Sequence, residues 1–244
     1  MALMVTRFFV KTTLKRWVKN IMNDHLNKIL WLWVPLIFLA TQTIIEIFAS
    51  HEIRGALHSE NGPHESLQFL CALGALIIAL RCLFTTSPTD KPYLFGWITC
   101  FVLGCAYIAG EEVSWGQHIF EWATPEFWSG VNDQGETNLH NTTSWLDQKP
   151  RLLLLIGVVT GGILIPLLKR FKPSALPKKF EIIYPPAILG LTATLAISAN
   201  LIDKVSEFFN DVPILSRGSE VEELYLFYFV LLYLMILRRR LAQH

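Results

Sequence analysis

YLFGWITCFVLGCAYIAGEE, residues 93–112, sets eighteen uncharged residues (Tyr93–Gly110) against two adjacent glutamates, Glu111 and Glu112. An apolar run of that length nearly matches the ~20 helical residues that cross ~30 Å of hydrocarbon. A carboxylate pair at its end is costly unless it is paired, protonated, ion-bound or wet. Those two facts organise the rest of the chain.

Five further stretches share the apolar character, so the expected spans are about 29–49, 66–84, 93–110, 152–168, 182–202 and 222–240. The last is apolar only from Leu224 to Leu237. It reaches crossing length by including Glu222 and Glu223 at one end and Arg238 to Arg240 at the other. Of the 244 residues 52% are hydrophobic and 17% charged; soluble domains carry about 25% charge, and here the charges cluster between the apolar runs. The expected fold is all-α: a polytopic membrane helical bundle of about six transmembrane helices forming one domain, 29–240, with an amphipathic N-terminal helix and an ordered outer loop, 122–150.

Residues 1–28 alternate Phe8, Phe9, Leu14, Trp17, Val18 and Ile21 with Arg7, Lys11, Lys15, Arg16 and Lys19. That pattern suits a basic amphipathic helix in a cytoplasmic headgroup layer; a plain juxtamembrane leader would read similarly. No secretory signal peptide is expected. Cys71, Cys82, Cys100 and Cys105 lie in apolar stretches without CxxC spacing and read as small core residues. A net charge of +1 and the lack of a basic block with interleaved aromatics argue against a nucleic-acid partner.

Local signals refine the spans. No breaker intervenes after Glu112 until Thr124-Pro125, so the third helix is expected to continue through Gly116 to Phe120. Gly157 and Gly161 offer a small-residue face for close helix contact. Pro185 and Pro186 are placed in the first turn of the fifth helix. Lys and Arg crowd alternate linkers and the acids occupy the others, which puts both termini in the cytoplasm. The segments near Asn61, 122–150 and Asn210 then lie outside.

This topology gathers the polar residues at one mouth. His64, Glu65 and Gln68 open the second span, and Glu111, Glu112, Ser114, Gln117 and His118 close the third. Asp203, Lys204 and Glu207 follow the fifth; Glu220, Glu222 and Glu223 precede the sixth; the loop adds Asn132, Gln134, Glu136, Asn138, His140 and Asn141. In a continued helix Glu111, Ser114 and His118 would share a face. The bland alternatives are that the glutamates mark the membrane surface and that Trp115, Trp122 and Trp128 form an interfacial belt. Imidazole beside carboxylates suits a divalent metal ion. Without HExxH, its ligands would come from separate helices: Glu65, Glu111 and His140. Glu112 is the candidate base, with Glu136 as an alternative and Ser114 as a further catalytic candidate. There is no GxSxG elbow, Walker loop or dinucleotide fingerprint. Asn141-Thr142-Thr143 matches a glycosylation sequon, relevant only in a secretory pathway.

The run from Gly110 to Gln117, G-E-E-V-S-W-G-Q, resembles a motif of a group of bacterial multi-pass inner membrane proteins. In that group an aromatic stretch, Thr-Pro-Glu and N-x-Q-x-E-x-N-x-H-N follow, here Thr124 to Glu126 and Asn132 to Asn141. The match covers about thirty residues; His118 departs from it, standing where the group carries Arg. The resemblance implies a bacterial inner membrane protein and brings no activity with it. A fainter likeness of layout links the chain to the membrane hydrolases that include alkaline ceramidases, whose paired His motif is missing here.

Three readings follow. The first is an enzyme acting on a lipid or lipid-linked substrate at the outer face, with a divalent metal ion as the expected cofactor. The second is an accessory subunit that docks a protein partner through the outer loop. The third is a transporter or ion-conducting protein, weakened by the lack of an internal repeat. Membrane lipids are expected partners in all three. The loop from Asn132 to Asn141 is expected to cap the mouth, with His140 facing Glu111 or Glu112.

Overall fold

The computed structural model describes residues 26–57, 62–132, 134–209, 215 and 217–243. The amphipathic reading of 1–25 and the turns at Asn61 and Asn210 lie outside these. Among the described residues the regular structure is helical: α1 (Ile29–Phe48), α2 (His51–Leu57), α3 (Pro63–Phe84), α4 (Pro92–Glu112), α5 (Gln117–Phe120) and α6 (Glu126–Val131). Helix α7 begins as Ser144–Val159 and continues through a π turn, Thr160–Leu164, to Ile165–Phe171; α8 (Gly190–Phe209) and α9 (Gly218–Leu241) complete the chain.

Five of these are long and apolar enough to cross a membrane, at Ile29–Phe48, Pro63–Phe84, Pro92–Glu112, Gln148–Phe171 and Ala187–Ser206. The sixth expected span behaves differently, and its sequence says why. Helix α9 is apolar around its whole circumference from Leu224 to Leu237, so it has no lipid-facing side to spare. It sits in the middle of the bundle, packed on α3 and α8, with Leu226, Leu232, Leu234 and Leu237 fully buried. The neighbours carry the exposed apolar residues instead, such as Ile37, Ile44, Leu70, Leu103 and Leu153.

Tyrosines on α9 tie the bundle together. In the π turn that opens α1, the carbonyl of Leu30 would look to the N–H of residue 35, which is proline; the Tyr228 hydroxyl donates to it at 2.8 Å. Tyr225 donates to the Pro35 carbonyl at 3.2 Å. Tyr233 donates to the Ile183 carbonyl at 2.9 Å and accepts from Trp97 Nε1 at 2.8 Å. Arg240 donates to the carbonyls of Ile182 and Tyr184, closing the connector between α7 and α8.

Several boundaries differ from expectation. Helix α7 starts at Ser144, capped by the Thr143 hydroxyl, and carries Pro150 inside it rather than before it. A proline removes one hydrogen bond, and the Thr143 cap on the turn before it offsets part of that loss. Pro185 and Pro186 precede a 3-10 turn, Ala187–Leu189, and the α-helix begins only at Gly190; it then runs past Asp203 to Phe209. Close helix contact falls on Gly161 and Gly162, not on Gly157. A Cβ on Gly162 would lie 2.4 Å from that of Ala193, and one on Gly157 would meet nothing within 4 Å.

The bundle has a basic and an acidic end. Lys91, Lys169, Arg170, Lys178, Lys179 and Arg238 to Arg240 lie at helix ends or connectors of the first. The start of α3, the end of α4, the α4–α7 loop and the start of α9 meet at the second.

Candidate functional site

Helix α4 does not continue through Gly116. It stops at Glu112, and the chain reverses through Ser114 (φ 46), Trp115 (φ 55) and Gly116 (φ 106). Left-handed backbone at Ser114 and Trp115 costs about 1–3 kcal/mol per residue, so something must hold it. Trp115 folds back over Gly110, where a Cβ would sit 2.9 Å from the indole, and donates Nε1 to Glu111 Oε1 at 2.6 Å. Glycine is therefore required at 110 by the ring and at 116 by the backbone.

The loop locks onto this reversal through buried hydrogen bonds. Thr137 donates its hydroxyl to the Ser114 carbonyl at 2.6 Å and its N–H to Gln117 Oε1 at 2.8 Å. Gln117 Nε2 donates to Thr124 Oγ1 at 2.8 Å, and Thr124 in turn donates to the Gly135 carbonyl. Asn132, buried, accepts from the N–H groups of Gln134 and Glu136 and donates to the Asn138 carbonyl and side chain. Each buried bond is worth about 0.5–1.5 kcal/mol, and together they offset the strained turn. The two halves of the motif thus interlock: Ser114 and Gln117 from one meet Glu136, Thr137 and Asn138 from the other.

Glu136 sits at the centre. Its Oε2 accepts from Ser114 Oγ at 2.8 Å and Asn138 Nδ2 at 2.5 Å, and its Oε1 lies 2.7 Å from His118 Nε2. Ser114 Oγ is also 3.1 Å from the same His118 nitrogen. A serine relay needs the histidine to use two different nitrogens and the hydroxyl to face substrate. Here one nitrogen meets both partners and Ser114 is 0% exposed. Ser114 donates to Glu136 and does not line the cavity described below. Glu136, with both oxygens engaged, positions the cap and is not the free carboxylate expected of a base.

Glu111 is 4% exposed and equally committed. Its Oε2 accepts the backbone N–H groups of Leu139 and His140 at 2.7 and 2.8 Å and lies 3.3 Å from His140 Nδ1. It secures the end of the loop to the end of α4.

Beneath the loop lies a cavity of about 220 Å³. Glu65, Glu111, Glu112, Glu136, Glu220 and Glu223 line it with His118, His140, Arg151 and Arg217. Arg151 pairs with Glu223 at 3.0 Å, and Gln68 Nε2 donates to Glu220 Oε2 at 3.2 Å. Glu222 turns away, as a neighbour about 100° round the helix must, and accepts from Asn200 at 2.9 Å. Glu112 reaches the cavity and has no hydrogen bond or ion pair among the described residues.

The expected metal trio shares this cavity without forming a coordination shell. Glu111 and His140 meet, Glu65 lines the wall, and among the described residues no three His, Cys, Asp or Glu side chains converge closely enough to hold a metal ion. Sequence reasoning overlooked Arg151 and Arg217, which look like ordinary linker charges, and set His118 aside. The spacing of His118 from Ser114 was visible; the reversal that brings it to Glu136 was not. In comparisons with protein-family models, curated proteins and solved structures, nothing matches this chain.

Proposed function

We propose that this chain is a membrane-embedded enzyme that acts on a lipid or lipid-linked substrate from the capped cavity, with Glu112 as general base. One observation carries the reading. A polar cavity is built at the end of apolar helices, its walls fixed by buried hydrogen bonds, and one carboxylate within it is left uncommitted. Every other interaction at the loop fixes a shape; Glu112 alone among Glu111, Glu112 and Glu136 is free to take a proton from an attacking water or hydroxyl. Positioned general-base catalysis contributes typically 10²–10⁴-fold. Pre-organised walls suit this use, because they need no rearrangement as charge develops.

The basic end of the bundle supports a placement with both termini in the cytoplasm and the cavity at the outer face. The motif resemblance supports a bacterial inner membrane. A second reading, an accessory subunit docking a protein through the loop, draws on the exposed Phe120, Phe127 and Trp145. These aromatics fit an interfacial belt equally well.

The test is turnover. Purified protein in nanodiscs is incubated with a total bacterial lipid extract and the lipids are followed by mass spectrometry. The enzyme reading expects a species consumed by the wild type and spared by Glu112→Gln. An unchanged lipid profile, with a stoichiometric protein partner retained through purification, would establish the accessory reading instead.

A further inference from the structure

The end of the bundle opposite the cavity carries a concentrated positive charge. Residues 169–184 hold five Lys and Arg against Glu181, Arg238 to Arg240 add three more, and Lys91 stands beside Asp90. The connector between α7 and α8 lies at this end, and its main chain is pinned to the bundle. Tyr93 on α4 donates its hydroxyl to the Lys179 carbonyl at 3.0 Å and packs edge-on against Phe180. Tyr184 donates to the Pro177 carbonyl at 3.0 Å. From α9, Arg240 and Tyr233 donate to the carbonyls of Ile182, Ile183 and Tyr184. The lysines of the connector are left outward. Lys172, Lys178 and Lys179 are exposed and form no ion pair among the described residues, while Glu181 is engaged by Lys169 at 3.7 Å. Lys179 Nζ lies 4.7 Å over the Phe180 ring. Phe84 and Phe171, the last residues of two spans, are exposed at the same end. Cations on a fixed backbone beside exposed rings, at the level where spans end, match a lipid headgroup layer: the charge meets phosphate, and the rings and lysine stems meet the upper acyl chain.

We infer that the connector between α7 and α8 is a docking platform for anionic phospholipid headgroups, received by Lys172, Lys178 and Lys179. The pinned backbone limits how far these ammonium groups can spread, and a headgroup of net negative charge among them offsets their repulsion. A zwitterionic headgroup offers the same phosphate but carries its own ammonium into the patch, which cancels the gain. Soluble phosphate lacks the acyl chains that the exposed Phe84 and Phe171 would meet. The platform lies at the opposite end from the cavity, so it stands apart from the enzyme reading, and it holds whichever side of the membrane this end faces.

The test compares wild-type protein, a triple variant (Lys172→Gln, Lys178→Gln and Lys179→Gln) and Glu181→Gln. Each is placed in nanodiscs of equimolar phosphatidylglycerol and phosphatidylethanolamine with matched acyl chains. Lipid retained on the released protein is read by native mass spectrometry, and thermal unfolding shows whether each variant is folded. A Lys or Arg near an anionic surface is worth about fivefold in affinity, so three together are worth on the order of 10²-fold. The expected result is a phosphatidylglycerol preference of at least tenfold in the wild type. It should be mostly lost in the triple variant at unchanged melting temperature, and kept or raised in Glu181→Gln. Should the triple variant fail to fold, Lys178→Gln alone carries the test, with a fall of about fivefold expected. Equal retention of both lipids by the wild type would overturn the inference. A preference that survives intact in the folded variants would overturn it as well, since the anionic lipid would then sit elsewhere. Retention of an acidic protein in place of lipid, released by the same substitutions, would also overturn it and give the platform to that partner.

Discussion

The carboxylate of Glu111 accepts the backbone N–H of His140 at 2.8 Å, across 29 residues of chain. The bond is to the main chain, so it fixes the course of the loop whatever side chain stands at 140. Glu111→Gln replaces one of two oxygens with an N–H₂ group that cannot accept from Leu139, His140 or Trp115. Charge-assisted bonds are worth about 1.5–3 kcal/mol, and a loss of that size is expected. His140→Ala keeps the backbone bond and removes the ring contact to Glu111 at 3.3 Å, so a smaller loss than in Glu111→Gln is expected. Thermal unfolding in nanodiscs measures both. Equal losses would mean that Glu111 holds the imidazole and not the backbone.

Ser114→Ala should lower stability by about 1–2 kcal/mol, since it strands acceptor capacity on the buried Glu136. Turnover, once a substrate is found, should persist in the folded fraction. Complete loss of turnover at unchanged stability would restore Ser114 as a nucleophile.

Close packing at Gly162 gives a test of the bundle itself. Gly162→Ala places a methyl 2.4 Å from Ala193 Cβ and should cost about 1–3 kcal/mol. Adding Ala193→Gly should recover part of it, because Phe229 Cε2 still lies 2.9 Å from the new methyl. Gly157→Ala, with nothing within 4 Å, should stay within about 0.5 kcal/mol. A larger effect at Gly157 than at Gly162 would contradict the packing of α7 on α8.

The helical membrane bundle was legible because hydropathy and length act locally: Tyr93 to Gly110 announces α4 without any knowledge of its neighbours. The shared mouth was legible for the same reason, since helix ends are set by where charge begins. The reversal at Ser114 was not. Nothing local forbids helix there, and the turn exists because Thr137, Glu136 and Asn138 hold it from more than twenty residues away. The start of α7 was hidden by Pro150, whose local signal outweighed the cap at Thr143. Which carboxylate is free was equally invisible. Glu111 and Glu112 are neighbours of identical chemistry, and only the folded loop decides that one is consumed and the other left open.

Topology can be tested with single cysteines in a cysteine-free chain. A probe at Ser129, exposed on α6, should react with an impermeant maleimide added to spheroplasts. A probe at Ser174, between α7 and α8, should react only after the membrane is opened. The opposite pattern would invert the bundle and place the cavity in the cytoplasm.

The account turns on Glu112 being the uncommitted carboxylate. Carbodiimide coupling to a small amine, with modified positions mapped by mass spectrometry of the nanodisc-held protein, asks this directly. The expected result is that Glu112 is modified well before Glu111 and Glu136, and that turnover falls in step with Glu112 occupancy. Modification of Glu111 or Glu136 ahead of Glu112, or full turnover with Glu112 blocked, would contradict it.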